Sequence, residues 1–179
     1  MESAPEGRAA RRAALVEPIA DHLLAHGLMG SGLRSLAQAA GTSDRMLLYY
    51  FRDKEDLLDA ALGVVAARLT AELAAATRGP LPFDALLPAM AHALLADRMW
   101  PYMRLWLEMA SLAAGGDPMC RRLGEALGRG FLAWGESQLS PADPATRAGE
   151  AARLFAIMEG LVLLKSLGLD DVVAQAIRP

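Results

Sequence analysis

The run Leu33 to Phe51, LRSLAQAAGTSDRMLLYYF, constrains the chain more than any other stretch. Leu33, Leu36, Ala37 and Ala40 recur at i, i+3, i+4 and i+7, so the spacing predicts a short amphipathic helix. Gly41 follows at once, and glycine takes the positive φ of a tight turn without steric cost. Ser43 or Asp44 then caps a second short helix, from which Leu47 and Phe51 return to the same core. Helices of about two turns are unstable alone in water. The pair therefore persists only when packed against neighbours, and Ala37 is small where the second helix crosses. A small residue, a glycine four on and an apolar residue six further is the spacing of a helix-turn-helix. An ordinary tight helical hairpin uses the same glycine turn, and the spacing alone leaves it open.

The residues beside this pattern favour a nucleic-acid contact. With Leu47 and Phe51 inward, the second short helix turns Asp44, Arg45, Met46, Tyr49 and Tyr50 outward. Tyrosine donates to phosphate and packs on thymine methyl groups, and arginine bonds guanine through two hydrogen bonds. Lys54 opens the next helix, whose cap reads as Asp53 with Asp56 three residues on. A cation at that positive end is unfavourable by a few tenths of a kcal/mol. It is accounted for if a DNA phosphate docks on the helix N–H groups and Lys54 together; a solvated lysine is the plain alternative. Arg8, Arg11 and Arg12 read first as a solvated helical turn, and second as a reach to a flanking phosphate or the minor groove.

Elsewhere nothing alternates with the period of a strand, and Ala, Leu, Glu and Arg dominate, which favours helix. Gly and Pro clusters divide the chain into helices predicted at 7–26, 33–40, 44–50, 54–77, 83–98, 101–114, 118–139, 145–167 and 171–177. Pro88 should start or kink its helix. The class is all-α, with about nine helices: a three-helix head over residues 1–53 and a helical body over 54–179. Apolar residues make up 54% of the 179, enough for a sizeable core. The longest apolar stretch, Leu154 to Leu169, is interrupted by Glu159 and Lys165, short of a membrane span. The first twelve residues contain no apolar segment of an export signal, and the lone Cys120 forms no internal disulfide. A soluble cytoplasmic protein is expected. The net charge of −3 divides as +1 over residues 1–54 and −4 over 55–179, too mild to argue for DNA by itself.

The predicted helix 145–167 is apolar nearly all round through LFAIMEGLVLLKSLG. Such a helix needs cover on two sides, and a second copy of the chain is the natural cover for one of them. Phe155, Met158, Glu159, Gly160, Val162 and Leu163 are the candidate interface.

The segment Gly32 to Leu62, GLRSLAQAAGTSDRMLLYYFRDKEDLLDAAL, resembles the signature of TetR-type (TetR/AcrR-like) transcriptional regulators. The order is a short helix ending Ala-Gly, a Ser-headed recognition helix, an aromatic stretch ending in Phe, then Lys-Glu-x-Leu-Leu. The resemblance implies a repressor that binds a palindromic operator as a homodimer and responds to a small hydrophobic ligand, with no cofactor. It implicates Arg34, Thr42, Ser43, Asp44, Arg45, Met46, Tyr49, Tyr50 and Lys54 in DNA contact. Glu159-Gly160 resembles the acidic-Gly step of the family's dimer helix. The family usually has Tyr where this chain has Leu48, and a capping Thr where it has Gly32.

The segment WPYMRLWLEMASL, with Phe131, Trp134 and Met158 from later helices, reads by itself as plain core. The resemblance implies an effector pocket between these central helices, lined by His92, Trp100, Tyr102, Met103, Trp106, Phe131 and Trp134. His92, Arg104 and Glu108 would then orient the ligand. Two rival readings stand beside this one. An enzyme has little support: there is no Gly-rich phosphate loop or metal cluster, and His22 and His26 form an i, i+4 pair that reads as a helix face. A helical ligand- or partner-binding protein with a degenerate head rests on Leu48 and the acidic net charge.

Overall fold

The structure is a computed structural model that describes residues 4–77, 79–140 and 143–178. Arg78, Pro141 and Ala142, within two of the expected breaks, lie outside the described residues. The helices are α1 (Ala4–His26), α2 (Leu33–Ala39), α3 (Asp44–Tyr50), α4 (Lys54–Thr77), α5 (Phe83–Leu94), α6 (Trp100–Ala114), α7 (Pro118–Ser137), α8 (Pro144–Ser166) and α9 (Asp170–Ala176). The all-α class and the helix order expected from the sequence both hold. An isolated bridge between Leu81 and Leu139 is the only extended pairing among the described residues.

One helix is shorter than its pattern suggested. The expected helix 83–98 stops at Leu94, and Asp97–Met99 forms a separate 3-10 turn. The break falls at Ala96, whose backbone is extended at φ −64° and ψ 144°. Pro101 then sits in the first turn of α6, where its missing N–H leaves no intrahelical bond unmade. Pro88 lies inside α5, five residues past Phe83, and so does not start it.

The chain forms two compact units, and they do not follow chain order. The first comprises residues through Ala67 with Arg104–Leu123; the second comprises Arg68–Met103 and the residues from Gly124 onward. In the first unit, Ile19 and Leu23 of α1, Leu36 of α2, Leu47 and Phe51 around α3, and Leu57 and Leu58 of α4 share one core. Leu105 and Met109 of α6 and Cys120 of α7 are buried in the same unit. In the second unit α5 packs on α8. Phe83, Leu86, Met90 and Leu94 are buried there, as are Leu154, Met158 and Leu161. Lys165 of α8 donates to the Leu95 carbonyl at 2.7 Å, past the end of α5, and lies 5.6 Å from the centre of the Trp100 ring. Among the described residues no helix is long and apolar enough to cross a membrane.

The connection from α1 to α2 is held by α6. Arg104 donates to the Leu24 and Ala25 carbonyls at 2.8 and 3.0 Å, satisfying acceptors that the end of α1 leaves open. One turn on, the Glu108 carboxylate accepts the backbone N–H groups of Leu28 and Met29 at 2.9 and 2.7 Å. Both side chains were expected to orient a ligand; instead they bind main chain. The buried Ser31 hydroxyl donates to the Gly27 carbonyl, and Ser35 Oγ donates to the Gly30 and Gly32 carbonyls, so the connection is densely bonded. Gly27 has φ of 77°, and a Cβ there would stand 2.2 Å from Glu108 Oε2. Charge-assisted hydrogen bonds of this kind contribute about 1.5–3 kcal/mol each when shielded, and less at a half-exposed site. Gly27→Ala should therefore destabilise the protein by about 2 kcal/mol or more through strain and a broken clamp. In a Glu108→Ala background the same change should cost only the backbone strain. Chemical denaturation of the four proteins of this cycle checks the coupling, and additive losses would refute it.

His22 and His26 stack with ring centres 4.4 Å apart, and His26 Nδ1 donates to the His22 carbonyl at 3.2 Å. No third metal-ligating side chain joins them among the described residues. His22 Nε2 is buried and has no hydrogen-bond partner among the described residues. Burial first, and the neighbouring His26 second, lower the His22 pKa from 6.5. Below that value the unfolded chain binds the proton more readily than the folded one, so stability is full above pH 6.5 and declines as pH falls through it. Thermal unfolding followed between pH 7.5 and 5.5 should show this decline, and His22→Gln should reduce it.

Candidate nucleic-acid interface

Local rules set the geometry of α2 and α3. At the end of α2, Thr42 N–H donates to the Ala37 carbonyl at 2.9 Å and Gly41 N–H to the Gln38 carbonyl at 3.1 Å. This is the paired closure of a helix ending in a left-handed residue, and Gly41 takes it at φ 62°. Of the two possible caps, Ser43 is the one used: its Oγ accepts the Met46 N–H at 3.3 Å. Leu47 and Phe51, 0% and 2% exposed, anchor α3, which packs on α2.

That anchoring fixes which side chains face out. Asp44, Arg45, Met46, Leu48 and Tyr49 are exposed; Tyr50 is half-buried, its ring edge-on to Tyr49 at 5.1 Å. Leu48 is the addition to the expected face. At the position where the family usually has Tyr, Leu48 stands 48% exposed. Arg34 of α2 is exposed, and neither it nor Arg45 makes an ion pair with the described residues. Thr42 is half-buried, and Ser43 Oγ is already engaged as a cap.

The start of α4 is built as expected. Asp53 Oδ1 accepts the Asp56 N–H at 2.8 Å, and Asp56 Oδ2 accepts the Arg52 N–H at 3.0 Å. Lys54 sits half-buried in this first turn, beside N–H groups that point away from the helix.

Two arginines have a role that sequence reasoning missed. Arg8 Nη2 donates to the Tyr49 carbonyl at 3.0 Å, and its guanidinium lies 5.1 Å from the Tyr49 ring centre. Arg12 bonds Asp56 at 3.1 Å and lies 4.6 Å from the Phe51 ring centre. The first turns of α1 thus brace the end of α3 and the start of α4, rather than lying free in solvent. The i, i+4 spacing of Arg8 and Arg12 was the available signal.

The body residues separate from one another. Of the expected pocket residues, only His92 lines the cavity of about 710 Å³ in the second unit. Ala76, Ala89, Ala93, Arg98 and Ile177 contribute to its wall. Met103 is 4% exposed, a core residue, while Trp100, Tyr102, Phe131 and Trp134 are half-buried. Trp106 is half-buried and belongs to the first unit. Of the expected dimer residues, Met158 and Val162 are 5% and 2% exposed and face their own unit's core. Phe155 and Glu159 are half-buried, and Gly160 and Leu163 are exposed. The outer side of α8 is therefore Ala152, Ala156, Gly160 and Leu163. Cys120 is buried, and burial raises its thiol pKa, which keeps it unreactive.

Residues 20–61, spanning the α1 end, α2, α3 and the α4 start, match the family of bacterial regulatory proteins named tetR. The HTH-type transcriptional regulator BetI of Burkholderia cenocepacia is 33% identical over 176 residues, covering 94% of this chain and 89% of that protein. The BetI protein of Burkholderia thailandensis is 34% identical over 167 residues, covering 89% and 84%. Among solved structures, a Rhodococcus sp. protein assigned to the TetR family superposes with a TM-score of 0.73 at 20% identity, over 94% of this chain and 95% of that one. A transcriptional regulator of Streptomyces coelicolor A3(2) gives 0.66 at 26% identity, over 86% and 85%. With the helix-turn-helix built as described, and with relatives above 30% identity along nearly its whole length, the chain belongs to the TetR family of transcriptional regulators.

Proposed function

We propose that this regulator works in the cytoplasm as a homodimeric repressor of a palindromic operator, modulated by a small hydrophobic ligand and catalysing no reaction. The observation that carries the DNA-binding part is the orientation of α3. Leu47 and Phe51 hold its inner side so completely that Arg45, Met46 and Tyr49 have only solvent or a groove to meet. Arg34 and Lys54 flank this surface and suit phosphates, and Arg45 suits a guanine edge.

The homodimer is supported by the outer side of α8. Leu163 and, just past the helix end, Leu167 are 51% and 66% exposed. Gly160 lowers helix stability by about 1 kcal/mol relative to alanine, yet a Cβ there would meet nothing within 4 Å in its own chain. Close approach of a second copy gives that glycine a reason. A two-fold pair would set its recognition helices about 34–36 Å apart, or a multiple of that, as a palindrome requires. The ligand part is supported by the cavity beside α5, whose size falls in the range of small-molecule sites. Its alanines make an apolar wall, with His92 and Arg98 as polar groups.

Two outcomes test this reading. The protein should bind a palindromic duplex from its own gene's upstream region with affinity that falls steeply with salt. Lys54→Ala should lower the salt slope by about one and weaken all sequences alike, whereas Arg45→Ala should relax preference at one base pair by about 1–3 kcal/mol. No binding to any duplex at any salt would overturn it. Separately, Leu163→Asp should convert the dimer to monomer in sedimentation and weaken operator binding at least tenfold; a wild-type monomer would refute the homodimer.

A further inference from the structure

Large apolar side chains are exposed at eight described positions, and three of these, Met46, Leu48 and Tyr49, stand on the seven residues of α3. Single exposed apolar residues are ordinary, but such a density on one short helix is not. Leu47 and Phe51 define the inward direction. At about 100° per residue, Arg45 and Tyr49 then form the outward ridge, with Met46 on one flank and Leu48 on the other. Met46 is 42% and Leu48 48% exposed, continuous with the surface that meets DNA. Asp44 and Arg45 cancel, so α3 brings no net side-chain charge to the groove.

An aliphatic side chain has one favourable partner in a major groove. Phosphates, N7, O6 and exocyclic amines are polar and lose water without compensation beneath a leucine. The thymine 5-methyl group is the apolar feature of the base edges. We infer that Met46 and Leu48 read thymine methyl groups on the two sides of the groove floor, so each operator half-site carries at least two thymines covered by α3. The inference rests on the operator-binding reading above, and deepens it by naming the chemistry of the bases read.

The test uses the full-length protein and a duplex enriched by it from a randomised pool. Each thymidine is replaced in turn by deoxyuridine, which keeps the pairing and removes only the methyl group. Wild-type protein should lose about three- to fivefold in affinity at two or more positions per half-site, the worth of one methyl taken from an apolar contact. Leu48→Ala should become indifferent at one of these positions and Met46→Ala at another, while Arg45→Ala keeps both sensitivities. Unfolding midpoints should stay near wild type, because both side chains are exposed. Deoxyuridine tolerated everywhere, or sensitivity that survives both alanine changes, overturns the inference and leaves operator binding intact. Failure to enrich any duplex sinks the operator-binding reading itself.

Discussion

Seven residues of helix cannot hold their own shape in water, and this protein presents its proposed recognition surface on a helix of that length. The ordering of α3 must therefore come from outside it. Leu47 and Phe51 supply it, 0% and 2% exposed in the unit whose core also holds Leu23, Leu36 and Leu57, so that turning α3 would bring them out. Everything said of the outward face depends on this burial. If α3 turned by one residue, Leu47 would enter solvent and an arginine or tyrosine would enter the core. The charged contacts are arranged to support the same placement. Arg8 holds the last turn of α3 through a main-chain carbonyl, and Arg12 holds the first turn of α4 through Asp56.

The head was legible in the sequence because its constraints are local. The apolar spacing, Gly41, the Ser43 cap and the Asp53 cap lie within a few residues of what they control. The braces were not legible, because their partners are far away along the chain. Arg8 meets a residue 41 positions on, Arg12 one 44 on, and Glu108 reaches back 80 positions to Leu28. Nothing in the local pattern around Glu108 distinguishes a carboxylate that will hold two amides from one that will greet a ligand. Only the fold decides.

The body shows the opposite difficulty. Aromatic and methionine residues drew attention as pocket lining, yet half of the residues lining the cavity beside α5 are alanines and, apart from His92, none is aromatic. Empty space arises where side chains are small, and large ones more often fill the space they occupy. The apolar girth of α8 likewise signalled two covered sides without saying which residues belong to which. Packing against α5 settled the phase, drawing Met158 and Val162 inward and leaving Gly160 and Leu163 outside.

The clamp on the α1–α2 connection recognises peptide groups, not side chains. Glu108 would hold the amides of positions 28 and 29 equally well under many residues, and Met29, 81% exposed, contributes little to its own anchoring. Position 29 is consequently free to drift over generations, whereas Leu28, 8% exposed, is held by the core. The drift stops at position 27. There the carboxylate stands where a Cβ would go, and a φ of 77° strains any side chain whatever the space, so shortening residue 108 lifts only one of the two constraints that keep a glycine at the end of α1.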